Sequence, residues 1–225
     1  MTVDVVVMDG FLSAAGMQGL HAYALSREAD FDDARVLRGP DGGVGAVDQK
    51  IRRNLHLKGP GVVPAAFLDR LRRALPELVG RIDPGGPDMD GAFLADARFE
   101  AEITATGDGG FFTAHKDNAH PRIEDRLLTF VYFFGASPRR FEGGELCVER
   151  NWRAGDRIFF HDASPGDSGL PVEMVDVVTP DTDRLVLFRG DRLHEVRPVV
   201  VRSGDFASSR FTVTGWVRSG GADRG

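Results

Sequence analysis

The stretch Phe112-Thr113-Ala114-His115-Lys116-Asp117-Asn118 places an imidazole and a carboxylate two residues apart, and another histidine follows far downstream in Asp191-Arg192-Leu193-His194-Glu195-Val196. Alternate side chains of a β-strand leave the same face, so this i, i+2 pair can converge on one ion at a strand or its end. On a helix the two side chains would diverge. The third ligand can come from a distant segment, because the strands of a rolled sheet bring such segments together.

Two imidazoles and one carboxylate on one face of a metal are typical of non-haem Fe(II) oxygenases, which keep the remaining positions open. His115, Asp117 and His194 are therefore the candidate metal ligands and catalytic residues. The spacing alone is weakly specific, because His-x-Asp arises by chance in many chains. Four other histidines are rival ligands, but none stands in an equally suitable context: His21, His56, His120 and His161.

The segment Arg210-Phe211-Thr212-Val213-Thr214-Gly215-Trp216 is typical of a strand, with Arg210, Thr212 and Thr214 on one face. A guanidinium pairs a carboxylate bidentately and stays charged at any working pH. Beside a metal, Arg210 is therefore suited to hold the far carboxylate of a dicarboxylic cosubstrate. A surface salt bridge is the commoner role of a single arginine and stays the alternative.

Composition narrows the class of protein. The 225 residues suffice for one sizeable core, and 28 basic against 34 acidic residues give a net charge of -6, so a nucleic-acid partner is not expected. Cys147 is the single cysteine, which excludes an intramolecular disulfide. No apolar run is long enough to span a bilayer, and the first residues lack a basic start. A cytoplasmic protein without a membrane partner is expected.

The pattern predicts one domain over 1–225. Residues 1–98 form a helical and strand front, 99–219 a β-rich catalytic core, and 220–225 a tail. Short strands separated by turn residues favour a sandwich or barrel over a parallel α/β sheet. They are predicted at 99–105, 111–115, 127–134, 145–149, 157–160, 172–178, 184–188, 195–201 and 210–217.

Two helices are predicted in the front segment. Ser13 is a suitable N-cap for a helix that runs to about Ser26. A second helix begins near Pro64, and Pro76 is expected to end or kink it. The apolar positions of this second helix recur at helical spacing and predict a buried face: Phe67, Leu68, Leu71, Leu75 and Leu78.

Two glycine-rich segments, 38–45 and 162–171, are predicted loops. They are equally consistent with lids over a substrate and with idle surface connections. The basic cluster Arg52-Arg53-Asn54 beside the first loop is expected to be a solvated charged face, with contact to an acidic substrate group as the alternative.

Taken together, six blocks in order resemble the prolyl-4-hydroxylase-like 2-oxoglutarate/Fe(II) dioxygenases over roughly residues 99–217. The ordered set is far more specific than the candidate ligands alone. The blocks are Phe111-Phe112-Thr113-Ala114-His115-Lys116-Asp117, Leu128-Thr129-Phe130-Val131-Tyr132-Phe133, Gly143-Gly144-Glu145-Leu146, Asp183-Arg184-Leu185-Val186-Leu187-Phe188, His194-Glu195-Val196 and Arg210-Phe211-Thr212-Val213-Thr214-Gly215-Trp216.

The resemblance implies a double-stranded β-helix, or jelly-roll barrel, with flanking helices and iron at its mouth. His115, Asp117 and His194 would ligate Fe(II), and Arg210 would bind the C5 carboxylate of 2-oxoglutarate. Tyr132 and Thr212 are expected to line the cosubstrate pocket. Arg210 follows His194 by a longer interval than in many relatives, so Arg202 is a weaker competitor for its role.

The implied reaction is hydroxylation of an unactivated C–H bond of an amino-acid-derived or peptidyl substrate, with O2 consumed, succinate and CO2 released, and ascorbate as a reductant. Asp117 argues against a halogenase, in which a small residue replaces the carboxylate. The alternatives are a natural-product hydroxylase of the same mechanism, or a cupin-like metal isomerase or non-catalytic module. In the last two, Arg210 would have no dicarboxylate to hold.

Overall fold

The computed structural model describes residues 3–36, 45–82, 89, 91–150 and 170–219. The helices in these ranges are α1 (Ala14–Ser26), α2 (Ala65–Val79) and α3 (Gly91–Asp96). The strands are β1 (Val5–Asp9), β2 (Asp32–Asp33), β3 (Arg52–Arg53), β4 (Leu55–Leu57), β5 (Arg98–Thr106), β6 (Phe111–His115), β7 (Arg126–Phe134), β8 (Glu142–Gly143), β9 (Leu146–Glu149), β10 (Val175–Val178), β11 (Arg184–Arg189), β12 (His194–Val196), β13 (Val199–Val200) and β14 (Arg210–Arg218).

The strands form two main antiparallel sheets. A seven-stranded sheet has the order β1-β11-β7-β14-β5-β4-β2, and a five-stranded sheet has the order β10-β9-β12-β6-β3. Apolar side chains of β7 and β11 pack against those of β9 and join the two sheets into a sandwich. Within the described residues, the sheets remain separate layers and do not close into a barrel.

The helices cover the outer face of the seven-stranded sheet, as their apolar stripes predict. Met17 and Leu20 of α1 and Phe67 and Leu71 of α2 belong to one buried cluster with β7 and β14. The Phe67 ring lies 5.2 Å from the ring of Tyr132 on β7. Burial of such side chains contributes roughly 1.5–3 kcal/mol each, so this cluster is the main core of the molecule.

The predicted helix ends are partly correct. The Ser13 hydroxyl accepts a hydrogen bond from the Gly16 backbone N–H at 3.1 Å, which confirms the N-cap of α1. Helix α2 starts directly after Pro64 but continues through Pro76 to Val79, so Pro76 does not end it. Leu78 and Val79 are buried in the core, and this packing offsets the hydrogen bond that a proline removes.

Most predicted strands agree with the structure to within one residue. The segment 172–178 differs, since its first three residues form a 3-10 turn before β10. The predicted strand over 195–201 is divided into β12 and β13, because Pro198 stands between them and has no N–H to donate. The predicted elements do not include helix α3 or the strands β1, β2, β3, β4 and β8.

Some predictions lie outside the described residues. These are the strand over 157–160, the tail over 220–225, and the lid segments 38–45 and 162–171 apart from residues 45, 170 and 171. The helices that the structure does describe are all too short or too polar to cross a membrane.

Asp183 connects the amino-terminal segment to the central strand β7. It has a positive φ of 64°, and its Oδ1 accepts hydrogen bonds from the Leu12 N–H at 2.6 Å and from the Tyr132 hydroxyl at 2.8 Å. Burial, reinforced by the Asp183 carboxylate, raises the pKa of Tyr132. The Tyr132 hydroxyl therefore remains a proton donor, and its role here is structural.

We predict that Tyr132→Phe lowers the free energy of unfolding by about 1 kcal/mol, because the hydrogen bond to Asp183 is lost while the ring packing remains. Urea unfolding should show a lower midpoint at an unchanged slope. Tyr23→Phe is the matched control, since the Tyr23 hydroxyl accepts only from Arg27 near the surface. Equal effects of the two substitutions would contradict this role of Asp183.

Candidate metal centre and cosubstrate pocket

The pairing of β6 with β12 brings the two predicted histidines together. His194 lies directly opposite His115 in the antiparallel register of these strands. Asp117 follows β6 by two residues, and its backbone N–H donates to the Gly190 carbonyl at 3.1 Å. The strand pairing thereby places His115 and His194, which are more than seventy positions apart in sequence, side by side.

The ligand atoms of the three residues converge. One ring nitrogen from each histidine and one oxygen of Asp117 all lie within 4.8 Å of one another. The Nε2 atom of His115 is 3.6 Å from Asp117 Oδ1, and the Nε2 atom of His194 is 3.4 Å from Asp117 Oδ2. This is the only such group that the described residues form, and its donor set suits one divalent transition metal.

Backbone carbonyls and one hydroxyl fix the orientation of these side chains. The Nδ1 of His115 donates to the Thr113 carbonyl at 2.8 Å, and the Nδ1 of His194 donates to the Arg192 carbonyl at 2.9 Å. Both rings therefore turn their Nε2 towards Asp117, the orientation that metal binding requires. From the opposite sheet, the Thr129 hydroxyl donates to Asp117 Oδ2 at 2.6 Å.

The electrostatics of the cluster also suit metal ligands. Burial, reinforced by His194, lowers the pKa of His115 to about 3, so this ring is neutral at pH 7. Burial alone would raise the pKa of Asp117, but the two histidines and the Thr129 hydrogen bond lower it overall. Burial lowers and Asp117 raises the pKa of His194, with a net increase. A metal ion bound at the Nε2 of His194 would displace the proton that Asp117 favours there, since metal ligands bind in their deprotonated form.

Arg210 is the first residue of β14 and is buried beside the five-stranded sheet. Its Nε donates to the Gly144 carbonyl at 2.7 Å, and its guanidinium lies 4.8 Å from the Phe133 ring centre. Its Nη2 is buried and has no hydrogen-bond partner among the described residues. Burial lowers the pKa of Arg210 to about 9, and nearby Glu145 opposes the change. The guanidinium stays cationic at pH 7, and one of its buried donors has no acceptor in the described part of the chain.

Gly144 makes this position of Arg210 possible. The glycine has a φ of +72°, and a Cβ there would lie 2.6 Å from the Cδ of Arg210 and 2.9 Å from the Cγ2 of Val199. Any larger residue would therefore be strained and would displace the guanidinium. The sequence block containing Gly144 is conspicuous, but its contact with Arg210 could not be read from the chain.

Thr212 lies on the same face of β14 as Arg210. Its hydroxyl is 2.6 Å from the Thr104 hydroxyl of β5 and 2.9 Å from the Thr214 hydroxyl. All three threonines line one cavity of about 800 Å³, which also contains the three candidate ligands and Arg210. The structure thus brings Thr212 and Arg210 to the same wall, as predicted.

Tyr132 is not at this wall, and its predicted role in the pocket is not retained. Its side chain points to the opposite face of β7, where it packs against Phe11 and Phe67. Arg202 is also distant from the pocket chemistry, because it is exposed and pairs with Glu142 at 3.0 Å. Of the two arginines that the sequence offered, only Arg210 lines the cavity.

The rival histidines do not form a second ligand group within the described residues. His21 packs 5.3 Å from the Phe211 ring, and His56 faces Glu102 at 3.7 Å. His120 lines the cavity, where its Nδ1 accepts from the Arg122 N–H. The prediction on His161 lies outside the described residues.

Sequence reasoning missed two contributors to the cavity wall. One is Thr129, whose hydroxyl holds Asp117. The other is a charged group of Arg52, Lys58 and Glu102. The expectation that Arg52 belongs to a solvated face is wrong, because its side chain is only 10% exposed and pairs with the buried Glu102. The two glutamates of β5, Glu100 and Glu102, are the one sequence signal for a cationic partner on this strand.

Comparisons with known proteins agree with this geometry. A profile described as the 2OG-Fe(II) oxygenase superfamily matches residues 101–218. An uncharacterized PKHD-type hydroxylase of Synechocystis sp. is 30% identical over 154 residues, which are 68% of this chain and 45% of that protein. The chain therefore spans less than half the length of this relative.

Solved structures show the same fold. A Pseudomonas putida prolyl-4-hydroxylase has a TM-score of 0.62 at 22% identity, with 96% of this chain and 94% of that chain covered. A Trichoplax adhaerens prolyl hydroxylase, solved with a peptide fragment of the hypoxia inducible factor oxygen degradation domain, has a TM-score of 0.62 at 18% identity, with 97% and 84% covered. These likenesses confirm the predicted double-stranded β-helix fold.

The superfamily profile covers more than half of the chain and includes every candidate ligand together with Arg210. The matched region begins within β5 and ends at the last residue of β14, and both strands contribute residues to the cavity. The chain belongs to the 2OG-Fe(II) oxygenase superfamily.

Proposed function

We propose that the chain is an Fe(II)- and 2-oxoglutarate-dependent dioxygenase. It hydroxylates an unactivated C–H bond of an amino-acid-derived or peptidyl substrate and releases succinate and CO2. One observation carries this proposal: Arg210, whose buried Nη2 has no hydrogen-bond partner among the described residues, lines the same cavity as the His115, Asp117 and His194 cluster. A buried charged donor without an acceptor is costly, and a dicarboxylic cosubstrate would supply that acceptor.

Each residue has a defined task in this proposal. His115, Asp117 and His194 would hold Fe(II) through two Nε2 atoms and one carboxylate oxygen. Arg210, assisted by the Thr212 hydroxyl, would bind the C5 carboxylate of 2-oxoglutarate and so orient its other end. The iron and the cosubstrate together supply the oxidising chemistry with O2. The side chains of the protein would bind the metal and the cosubstrate, orient them, and exclude water from the cavity.

The choice of substrate class is supported by the resemblance to prolyl hydroxylases. The Trichoplax adhaerens neighbour was solved with a peptide fragment.

The direct test of the proposed function is to incubate the protein with Fe(II), ascorbate, 2-oxoglutarate and O2 and to measure succinate. Turnover that depends on both iron and 2-oxoglutarate is expected, and its absence together with an absence of metal binding would refute the proposed function.

We predict that His115→Ala and Asp117→Ala abolish iron-dependent succinate formation and lower metal affinity by at least a hundredfold, because each removes one of three ligands. Metal titration followed by Co(II) absorption checks binding independently of turnover. His21→Gln is the control, since His21 packs against Phe211 away from the cluster. Full turnover in either ligand variant would exclude this set of ligands.

Thr129→Val tests the support of Asp117 from the opposite sheet. The two side chains have nearly the same shape, but valine cannot donate to Asp117 Oδ2. We expect metal affinity to fall about tenfold, as is typical when an outer hydrogen bond to a ligand is lost. Thr179→Val is the matched control, because the Thr179 hydroxyl contacts Asp181 and Arg184 at the surface. Equal metal affinities in both variants would show that Thr129 has no such role.

The two candidate arginines provide a paired test of the cosubstrate site. We expect Arg210→Ala to raise the KM for 2-oxoglutarate at least tenfold, because the buried guanidinium is the anchor of the C5 carboxylate. Arg202→Ala should leave this KM within twofold, since Arg202 pairs with Glu142 on the surface. Steady-state succinate assays measure both values. The reverse pattern would move the anchor to Arg202.

A further inference from the structure

A charged group lies on the cavity wall away from Arg210. Arg52 reaches from the five-stranded sheet to Glu102 of the seven-stranded sheet, with its Nη2 at 3.1 Å from Glu102 Oε1. Lys58 Nζ lies 3.0 Å from Glu102 Oε2. All three residues line the cavity that contains the candidate metal ligands. Neither the ligand set nor the cosubstrate anchor uses this group.

The group stands next to the metal cluster. Arg52 is opposite Phe112 in the register of β3 and β6, and its guanidinium lies 4.8 Å from the Phe112 ring centre. The Phe112 ring in turn stacks on the His115 ring, with a centroid separation of 3.5 Å. A molecule bound at Arg52 would therefore be one aromatic ring away from a candidate ligand, where a substrate is expected.

The group is also distinct from the cosubstrate anchor. Arg210 pairs with Thr106 at one end of β5, whereas Glu102 lies opposite Thr214, four residues further along. Four residues of a strand span about 13 Å. The cavity thus has two cationic positions, one at the start of β14 and the other beside the middle of the β5–β14 pair.

The charges of the group do not balance. Burial would raise the pKa of Glu102, but Arg52 and Lys58 lower it, so one carboxylate faces two cations at neutral pH. Burial, reinforced by Lys58, lowers the pKa of neighbouring His56, and the acidic Asp32 opposite His56 does not line the cavity. The Nη1 of Arg52 donates to no group in the described part of the chain.

A nearby ion-pair network has balanced charges, unlike the group of Arg52, Lys58 and Glu102. Glu100 and Asp125 pair with Arg126 and Arg218, so two carboxylates match two guanidinium groups. Balanced networks of this kind serve as structural links between strands. The excess positive charge at Arg52 and Lys58 occurs in a chain whose net charge is -6, and it faces the cavity.

Trp216 supplies an independent observation. This residue lies on β14 next to the charged group, opposite Glu100 in register and 8% exposed. Within the described ranges its indole Nε1 is buried without a hydrogen-bond partner, although the residue lines the cavity. Arg126 covers the ring at 3.5 Å. An indole N–H is a donor only, so it can bind an acceptor group of a ligand in this cavity.

On the basis of the proposed function, we propose that Arg52, Lys58 and the Trp216 indole form a subsite for the carboxylate of the substrate itself. The substrate is then a small carboxylic acid of the α-amino-acid type and not an internal residue of a peptide. An internal residue presents neutral amides, which leave the excess charge uncompensated. A free carboxylate compensates this charge and accepts the unused donors.

The test uses the twenty free L-amino acids and their C-terminal amides as probes, which differ pairwise only in the carboxylate. The iron-loaded enzyme with 2-oxoglutarate is assayed for succinate above the rate without a probe. Calorimetric binding to the same protein with N-oxalylglycine in place of 2-oxoglutarate gives a readout that needs no turnover. At least one free acid should act with a kcat/KM tenfold or more above that of its amide.

Lys58→Gln is the principal variant, because the Lys58 side chain is 53% exposed and its replacement does not disturb the core. We expect the KM and the Kd of the active acid to rise about tenfold, and the preference over the amide to shrink by the same factor. The KM for 2-oxoglutarate should stay within twofold, which separates this subsite from the Arg210 anchor. Lys50→Gln, on an exposed turn outside the cavity, is the matched control.

Several results would overturn the subsite. These are the failure of every free acid to bind or to stimulate turnover, an amide or amidated peptide that acts as well as the acid, and an unchanged acid Kd in Lys58→Gln. A rise in the KM for 2-oxoglutarate in that variant would reassign the group to the cosubstrate. If succinate formation without a probe and metal binding are both absent, the proposed function fails as well, and the calorimetric comparison still decides the subsite.

Discussion

The antiparallel pairing of β6 with β12 is the constraint on which the site depends. It sets His194 opposite His115 and leaves Asp117 just beyond the strand end. Asp117 is then held from the other sheet by the Thr129 hydroxyl. Two ligands are positioned within one sheet, while the third is fixed by contact between sheets. The packing of β7 and β11 on β9 therefore determines the geometry of the cluster as much as the local hydrogen bonds do.

The convergence of the three candidate ligands and the place of Arg210 on the same cavity could be predicted from the sequence, because their chemistry is rare and their order is specific. The side of β7 on which Tyr132 lies could not be predicted from the sequence. Every residue from Leu128 to Phe134 is buried, since one face packs on the helices and the other on the second sheet. A strand buried on both faces lacks the alternation that assigns side chains to a face. The polar Thr129, of opposite parity to Tyr132, is the only marker of the cavity side.

Arg52 shows a second limit of prediction. A run of basic residues near a glycine-rich loop is usually solvated, and nothing local indicates otherwise. Its partner Glu102 is fifty positions away, and the two meet only because β3 and β5 belong to sheets that face each other. The packing of one sheet of a sandwich on the other depends on contacts between residues that are distant in sequence. The divided strand around Pro198 is the opposite case, since the missing N–H is a local cause that the sequence already contains.

The cavity wall holds two cationic groups whose charge the described residues do not fully satisfy. Arg210 is buried, its pKa is lowered to about 9, and its Nη2 has no hydrogen-bond partner in the described part of the chain, while Arg52 and Lys58 share one carboxylate. Such groups reduce the free energy of unfolding, so they persist only where another requirement retains them. A bound anion removes the penalty and binds the folded state alone, so ligand affinity and stability are linked. The positions of uncompensated charge are therefore the two places at which we propose that carboxylates bind.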